Sequence, residues 1–185
     1  MRRIQPAESA VLVVDVQERL AAAMPEAQMA ALTRAATVLI EAARLLGAGV
    51  LATEQYPKGL GPTIPEIKAK LEEVAAPIIS KMEFSACDCD AFDQAWAKRA
   101  PAVAIVLGME THVCVFQTVR ELCARGTTVF VPIDGVASRR EDHRQAGIEL
   151  CRAAGATITT METVVFDWLR VAGTEPFRQL SRLIR

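Results

Sequence analysis

Six short apolar runs, separated by longer segments with helical spacing, constrain the fold of this chain most. The runs occupy residues 10–14, 50–53, 77–80, 103–107, 128–132 and 157–160. The runs at 10–14 and 103–107 are apolar throughout instead of alternating with polar residues, which is typical of strands buried on both faces. Strands that alternate with helices form parallel sheets. The pattern therefore predicts an α/β protein with a three-layer α/β/α, Rossmann-like fold and six parallel strands.

The segments between these runs predict helices on both sides of the sheet. Apolar residues recur at helical spacing over 26–46, 65–75, 91–99, 113–125 and 140–154, and again over 162–171 and 175–184. Glycines at 47, 126 and 155 follow three of these segments, where helices commonly end. The stretch 55–63 contains two prolines and two glycines, so we expect a loop that covers a site.

Length and composition restrict the class of protein. The chain has 185 residues, of which 51% are hydrophobic and 23% charged, and its net charge is −1. These values fit one domain and give no basis for binding a polyanion, so we expect no nucleic-acid partner. No uncharged apolar run approaches the roughly 20 residues of a membrane-spanning helix, and the run at 11–14 ends in Asp15. We expect neither a membrane segment nor secretion.

The five cysteines, at positions 87, 89, 114, 123 and 151, do not resemble a disulfide framework because their number is odd. We therefore expect a cytoplasmic protein. Cys123 and Cys151 lie on apolar helix faces and are expected in the core. Cys87 and Cys89 have no second cysteine pair that would complete a zinc site, so we interpret them as a solvent-exposed loop pair.

Three chemically competent side chains follow three of the predicted strands. Asp15 comes directly after the first strand, Lys81 after the third, and Cys114 seven residues after Leu107, where a helix begins. Because ligands bind beyond the carboxyl ends of parallel strands, we expect these side chains to share one pocket. A carboxylate at such a buried position needs a partner, which Lys81 supplies.

These residues predict nucleophilic catalysis by a thiol. A helix start and a nearby lysine favour the thiolate form of Cys114. Asp15 can act as general base and then as general acid, while Lys81 holds the thiolate and keeps Asp15 ionised. We expect the backbone N–H groups of Glu110 and Cys114 to form an oxyanion hole.

Three motifs carry a family resemblance. The segments VVDVQ (13–17), SKMEFS (80–85) and GMETHVCVFQT (108–118) resemble the isochorismatase-like cysteine hydrolases, in that order. TEQYPKGLGPT (53–63) and DGVASR (134–139) are most similar to the isochorismatase domain-containing subgroup. The resemblance implies a single hydrolase domain over 1–185 and a sheet with the strand order 3-2-1-4-5-6.

The resemblance also implies roles for individual residues. It assigns a catalytic triad with a covalent acyl-enzyme to Asp15, Lys81 and Cys114, and a non-proline cis peptide to the bond between Met109 and Glu110. Further residues are expected at the substrate pocket: Gln17 and Phe84 by the resemblance, Glu54 and Tyr56 as either substrate contacts or loop-shaping residues, and His112 at the rim. We expect Asp134 and Ser138 to fix a turn after the fifth strand.

The sequence departs from two branches of this family. Nicotinamidases are similar in their triad, but they carry an Asp-x-His and a further His after the second strand, where this chain has TEQY (53–56). The only histidines here are His112 and His143, so we expect no metal and no other cofactor. Isochorismatase itself cleaves a vinyl ether and lacks the cysteine. The remaining hypothesis is hydrolysis of a C–N bond in a small amide through a thioester on Cys114.

Two other hypotheses belong to different functional classes. The fold could serve as a binding or scaffolding module without a reaction, or Cys114 could be a redox sensor. A strongly lowered thiol pKa would favour the enzyme, and an ordinary one the module. The apolar tail and the resemblance both predict a homo-oligomer, a dimer or a tetramer, that acts on a small molecule.

Overall fold

Seven parallel strands form the centre of the computed structural model, which describes residues 3–184. Their bounds are β1 Ser9–Val14, β2 Gly49–Gln55, β3 Ile78–Lys81, β4 Val103–Met109, β5 Thr128–Pro132, β6 Val136–Ala137 and β7 Thr157–Thr159. The order across the sheet is β3-β2-β1-β4-β5-β7, and β6 pairs with the end of β4. The six predicted strands and their predicted order are therefore confirmed. The two-residue β6 is too short to have left a pattern in the sequence.

Nine α-helices connect and cover these strands in the described part of the chain. Their bounds are α1 Glu18–Ala21, α2 Glu26–Leu46, α3 Pro57–Leu60, α4 Pro65–Glu73, α5 Asp90–Arg99, α6 Phe116–Ala124, α7 Glu141–Ala153, α8 Met161–Leu169 and α9 Glu175–Ile184. The short α1 and α3 were not predicted, and α3 lies inside the stretch expected to be a loop. Between residues 3 and 184, no helix is both long and apolar enough to traverse a bilayer.

The sheet is buried on both faces, as its apolar strands predict. Along β1, Val11 and Val13 belong to one hydrophobic core, whereas Leu12 and Val14 belong to the other. Helices α2, α4, α8 and α9 cover the first face, and α5, α6 and α7 cover the second. This sandwich leaves the ends of the strands as the places where polar groups from several strands can meet.

Three cysteines outside the predicted triad, Cys87, Cys89 and Cys151, are buried, and Cys123 is half-buried. One prediction about them is wrong. Cys87 and Cys89 are only 3% and 8% exposed, not a solvent-exposed pair. The segment after β3 folds back onto α6, where the Ala86 N–H donates to Thr118 Oγ1 at 2.9 Å. Cys151 is buried as expected, and all five cysteines are free.

Gly108 allows β1 and β4 to approach each other at their carboxyl ends. It pairs with Val14 in the sheet and has a φ of +132°, which favours glycine. A Cβ at this position would lie 2.0 Å from the carbonyl oxygen of Val14. Since Asp15 follows Val14 directly, this contact also helps to fix the position of the Asp15 backbone.

Gly108→Ala should lower the free energy of unfolding by about 3 kcal/mol or more, because a backbone clash adds to the unfavourable φ. Gly126→Ala is the matched control: Gly126 also has a positive φ, +83°, but nothing lies within 4 Å of the position that its Cβ would take. That control should lose only about 1 kcal/mol. Urea denaturation followed by circular dichroism measures both, and equal losses would contradict the close-approach argument.

Candidate active site

The three residues singled out by the sequence meet at the carboxyl edge of the sheet. Asp15 follows β1 and Lys81 ends β3, with β2 between them in the sheet. Lys81 Nζ lies 2.7 Å from Asp15 Oδ2, and the charges of both Asp15 and Lys81 act on the Cys114 thiol. The predicted convergence of three strand ends is thus present in the structure.

The Asp15 carboxylate is fully buried and held by two side chains. Its Oδ1 accepts a hydrogen bond from Thr53 Oγ1 at 2.6 Å, and its Oδ2 accepts one from Lys81 Nζ at 2.7 Å. The backbone N–H of Asp15 donates to the carbonyl oxygen of Thr53 at 3.1 Å. With a φ of +52°, Asp15 occupies the left-handed region, which is uncommon for an aspartate outside a constrained site. These contacts leave the carboxylate one orientation, toward Cys114.

The Lys81 ammonium is surrounded by oxygen atoms. Besides Asp15 Oδ2, its Nζ lies 2.8 Å from Gln55 Oε1 and 3.1 Å from the carbonyl oxygens of Glu83 and Phe84. The side chain has no exposed surface. A buried ammonium is tolerated only when its donors are satisfied, and these acceptors satisfy them. The charge of Lys81 is therefore directed at fixed protein groups.

A pair of glutamines supports this arrangement. Gln55 holds Lys81 through its Oε1 and donates through its Nε2 to the carbonyl oxygen of Met82 at 2.7 Å. Gln17 bonds both the N–H and the carbonyl oxygen of Gln55, and donates to the carbonyl oxygen of Gly61 at 2.7 Å. Gln17 was predicted at the substrate pocket. In this structure it is fully buried and braces the loop after β2.

Thr53 and Gln55 were not identified from the sequence. Their signal was present but weak: both are polar residues at the end of an apolar strand, in the motif TEQY (53–56). The strand register decides their role, because Val14 pairs with Thr53 and Gln55 pairs with Lys81. That register cannot be read from one sequence.

Cys114 lies in a π-helical turn, Thr111–Val115, that precedes α6. Burial raises the pKa of its thiol to about 12, the Asp15 carboxylate adds to the rise, and Lys81 only partly opposes them. The prediction that a helix start and Lys81 favour the thiolate is therefore wrong for the resting site. Regular helix begins at Phe116, beyond the cysteine, and the charge of a carboxylate acts on the thiol. Cys114 is therefore a protonated thiol in the resting structure.

The turn that carries Cys114 is tied to its surroundings by its backbone. The bond between Met109 and Glu110 is a cis peptide, as the resemblance implied. The N–H groups of Val113 and Val115 donate to the carbonyl oxygen of Glu110, at 3.0 and 3.3 Å. The Thr111 N–H donates to Ser138 Oγ at 3.1 Å. Three N–H groups of the turn are thus engaged, and the predicted oxyanion donors, Glu110 and Cys114, stay a prediction.

Known proteins are similar to this chain in sequence and in fold. Residues 9–163 match the family model described as the isochorismatase domain. The chain belongs to the isochorismatase family. This confirms the resemblance, while a single domain over all of 1–185 stays a prediction, since residues 1, 2 and 185 lie outside the described part.

Two relatives of this isochorismatase-family chain align over nearly its whole length. A secreted isochorismatase effector from Phytophthora sojae is 32% identical over 185 residues, covering 99% of this chain and 87% of that protein. The isochorismatase domain-containing protein 2 of Macaca fascicularis is 32% identical over 184 residues, covering 99% and 86%. The predicted likeness to the domain-containing subgroup is confirmed.

Two solved structures share the fold. One is described as the MAR1 ribonuclease from Caenorhabditis elegans, with a TM-score of 0.90, 36% identity and coverage of 99% of this chain and 92% of that one. The other is YcaC from Pseudomonas aeruginosa with hexane-2,5-diol and covalent acrylamide, with a TM-score of 0.87, 25% identity and coverage of 99% and 96%.

Arg139, which the sequence did not single out, faces the family's cysteine-bearing turn. Its Nε lies 3.2 and 3.1 Å from the two carboxylate oxygens of Glu110, and its backbone N–H donates to Glu110 Oε2 at 3.1 Å. Burial acts to raise the pKa of Glu110, but the hydrogen bonds and charge of Arg139 outweigh it and lower this pKa. Glu110 is therefore held as a nearly buried carboxylate. The only sequence signal for Arg139 was its place in DGVASR (134–139).

Three large side chains near Lys81 are exposed, and we call this group the mouth. Tyr56, Met82 and Phe84 are 48%, 65% and 55% exposed, which is high for side chains of this type. Glu54 accepts hydrogen bonds from the N–H and Oγ1 of Thr63 at 2.7 and 2.8 Å. Of the two roles left open for Glu54, these contacts support shaping the loop. Contact of Tyr56 and Phe84 with substrate stays a prediction.

The two histidines lie beside Ser138. His112 Nδ1 lies 3.1 Å from Ser138 Oγ, and its ring centroid is 4.7 Å from that of His143. Burial lowers the pKa of His112, against the opposing effect of Glu110. Asp134 accepts from the Met161 N–H at the start of α8, and Ser138 Oγ accepts from the Thr111 N–H. Both side chains thus connect the segment after β5 to other elements, and these contacts do not show the predicted turn-fixing role.

A second glycine brings the cysteine-bearing turn against α7. A Cβ on Gly147 would lie 2.7 Å from both the backbone nitrogen of His112 and the carbonyl carbon of Thr111. No side chain larger than hydrogen fits between α7 and the turn without displacing one of them. Helix α7 therefore packs directly against the turn and helps to fix the position of Cys114.

Asp15→Asn should make Cys114 more reactive toward iodoacetamide, although it removes the base. Because the Asp15 charge raises the thiol pKa, its loss lowers that pKa and increases the thiolate at pH 8, about tenfold per pKa unit. Site-resolved mass spectrometry of the alkylated protein measures the rate. Cys151 is the internal control, since burial is the leading cause that raises its pKa to about 12 and its rate should not change. A slower or equal rate at Cys114 would contradict the assignment of Asp15.

Proposed function

We propose that this protein hydrolyses a C–N bond of a small amide through a thioester on Cys114, without a metal or other cofactor. The observation that carries the proposal is a buried carboxylate, held in place by Lys81 and Thr53, whose charge acts on the buried Cys114 thiol. A nucleophile, a base and a group that orients the base are the parts that such catalysis requires.

The raised thiol pKa determines how the first step proceeds. Free thiolate is scarce at neutral pH, so the proton moves to Asp15 as Sγ attacks the amide carbonyl carbon. The C–S bond forms, and the electron pair of the C=O bond moves to oxygen. When the intermediate collapses, the C–N bond breaks and Asp15 returns the proton to the leaving nitrogen. The amine departs and leaves an acyl-thioester.

The second half of the reaction uses the same groups in the same order. Asp15, again a carboxylate, takes a proton from water as the water oxygen attacks the thioester carbon. The C–S bond then breaks, and Asp15 gives the proton to the departing sulfur. The products are a carboxylic acid and the resting thiol, so Asp15 carries one proton in each direction during each half-reaction.

Lys81 acts by orienting Asp15 rather than by touching substrate. Its Nζ is enclosed by protein oxygen atoms and has no exposed surface. Charge that develops on the carbonyl oxygen needs other donors, and we assign this role to the N–H groups of Glu110 and Cys114. The N–H groups of Thr111, Val113 and Val115 are engaged in other hydrogen bonds, so we do not assign this role to them.

The mouth supports a small substrate with an apolar portion. Met82 and Phe84 follow Lys81 directly and are more than half exposed, so an acyl group bound to Cys114 would meet them. The YcaC structure with covalent acrylamide indicates that a protein with this fold reacts with a small unsaturated amide. This favours amides of comparable size.

The raised thiol pKa also bears on the two other hypotheses. Redox-sensing cysteines are exposed and have a low pKa, whereas Cys114 is 6% exposed with a pKa raised to about 12. The raised thiol pKa does not meet the criterion of a lowered pKa that would have favoured the enzyme over a binding module. What favours the enzyme is the buried network of Asp15, Lys81 and Thr53, which a binding module does not need. We therefore favour the hydrolase over the redox sensor and the binding module.

Cys114→Ala should abolish the release of ammonia or amine from a library of small primary and secondary amides. It should also abolish the acyl adduct detected on the wild-type protein by intact-mass spectrometry during turnover. Cys123→Ala is the matched control, because Cys123 is a half-buried cysteine on α6 outside the site, and it should retain full activity. Hydrolysis by Cys114→Ala at the wild-type rate would overturn the mechanism.

Ribonuclease activity is the second candidate, because the Caenorhabditis elegans neighbour is described as a ribonuclease. The observation in its favour is the contact between the rings of His112 and His143, beside Arg139 and Arg140. The net charge of −1 opposes it. We expect no cleavage of a fluorescent single-stranded RNA. Cleavage that is lost in His143→Ala and kept in Cys114→Ala would favour this candidate instead.

We retain the predictions of a cytoplasmic homo-oligomer that acts on a small molecule. The five free cysteines support a reducing compartment, although the Phytophthora sojae relative is described as secreted. Exposed Phe166, Val171 and Leu183 near the last two helices support self-association. Light scattering after size exclusion should give a mass of at least twice 20.0 kDa, and a monomer at micromolar concentration would contradict the prediction.

A further inference from the structure

We propose that Arg139 is a positioning residue of this site, which aligns Glu110 and cancels its negative charge beside Cys114. The inference rests on the proposed function and extends it to a residue outside the triad. It concerns the one carboxylate, other than Asp15, whose charge acts on the Cys114 thiol.

The short strand β6 brings Arg139 to the site. Val136 pairs with Gly108, and Ala137 pairs with Met109, so the chain after β6 runs alongside the chain after β4. Ser138 and Arg139 therefore lie beside Glu110 and Thr111. The Thr111 N–H donates to Ser138 Oγ, and the Arg139 N–H donates to Glu110 Oε2.

Arg139 binds the Glu110 carboxylate with both its backbone and its side chain. The Arg139 N–H and Nε donate to the carboxylate over distances of 3.1 to 3.2 Å. The Glu110 side chain is 8% exposed, whereas that of Arg139 is 59% exposed. A charge-assisted pair of this kind is directional, so the buried carboxylate takes the position that Arg139 sets.

The position of Glu110 determines the position of the turn that follows. Its carbonyl oxygen accepts the N–H groups of Val113 and Val115, which flank Cys114 in sequence. A shift of Glu110 would therefore move the cysteine and the predicted oxyanion donors together. Arg139 acts on the reaction through this backbone.

The charge of Glu110 matters as much as its position. A carboxylate near Cys114 opposes both the loss of the thiol proton and the negative charge that develops on the substrate oxygen. The cations that face Glu110 are Arg139 and, when protonated, His112. Since burial and His143 disfavour protonation of His112, Arg139 is the cation that compensates Glu110 at neutral pH.

The experiment compares Arg139→Met, Arg139→Lys, Glu110→Gln and the double variant Glu110→Gln/Arg139→Met. The matched control is Arg140→Met, which removes the neighbouring, equally exposed arginine that pairs with Asp142. The first readout is the pH dependence of Cys114 alkylation by iodoacetamide, which needs no substrate. The second is kcat and KM for any amide that the wild-type protein hydrolyses.

In Arg139→Met we expect alkylation at pH 8 to fall about tenfold, as one unit of higher thiol pKa implies, and kcat to fall with little change in KM. The double variant should recover the alkylation rate, because it removes the uncompensated charge, and Arg139→Lys should recover part of it. Arg140→Met should match the wild type. If Arg139→Met does not fold, Arg139→Lys and Glu110→Gln decide: Arg139→Lys should alkylate more slowly than the wild type and Glu110→Gln faster, and wild-type rates in both would overturn the proposal.

Two results would overturn the proposal. One is an unchanged alkylation profile in Arg139→Met. The other is a rise in KM confined to substrates that carry a carboxylate, which would make Arg139 a substrate-binding residue. Failure of the wild-type protein to hydrolyse any amide would count against the proposed function alone, because the alkylation profiles test Arg139 independently.

Discussion

The buried ion pair between Asp15 and Lys81 is the interaction on which the rest of this site depends. Removing two charges from water is costly, and the cost is offset only where further hydrogen bonds satisfy both groups. Here β2, which lies between β1 and β3, supplies Thr53 to the carboxylate and Gln55 to the ammonium. Losing one member of a buried pair typically costs about 3 to 5 kcal/mol because the other charge is left alone. The site and the central strands of the sheet are therefore stabilised by the same contacts.

This pair also sets the chemical state of the nucleophile. Because Lys81 donates to Asp15, Gln55 and two carbonyl oxygens, its charge stabilises those groups more than it stabilises a thiolate. Cys114 instead faces the carboxylate and keeps its proton. In the proposed mechanism, the thiol therefore loses its proton only as its sulfur attacks the substrate carbonyl. Burial and retention of the proton also protect the cysteine from oxidation, which requires thiolate and exposure.

The sequence predicted the fold and the three central residues for the same reason: each of Asp15, Lys81 and Cys114 interrupts or follows an apolar run, and buried polar groups are exceptions that signal a role. Thr53, Gln55 and Arg139 could not be found in this way. Their roles depend on which residues face each other across strands, that is, on the register of β1 with β2 and of β4 with the two-residue β6. The direction of the Cys114 pKa shift was predicted wrongly. A helix start can be read from a sequence, whereas a π-helical turn and a carboxylate that acts on the thiol cannot.

Two glycines connect the catalytic geometry to the packing of the whole molecule. Gly108 lets β4 approach the end of β1, where Asp15 follows, and Gly147 lets α7 approach the turn that carries Cys114. In both places the opposing atoms are backbone, which cannot yield as a flexible side chain can. The nucleophile is thus enclosed between a strand pair on one side and a helix on the other. The backbone segments that carry Asp15 and Cys114 are thus held by backbone contacts, whereas the side chains at the mouth are exposed. In the proposed mechanism, changes at the mouth would therefore alter which substrate binds more than they alter the relative position of Cys114 and Asp15.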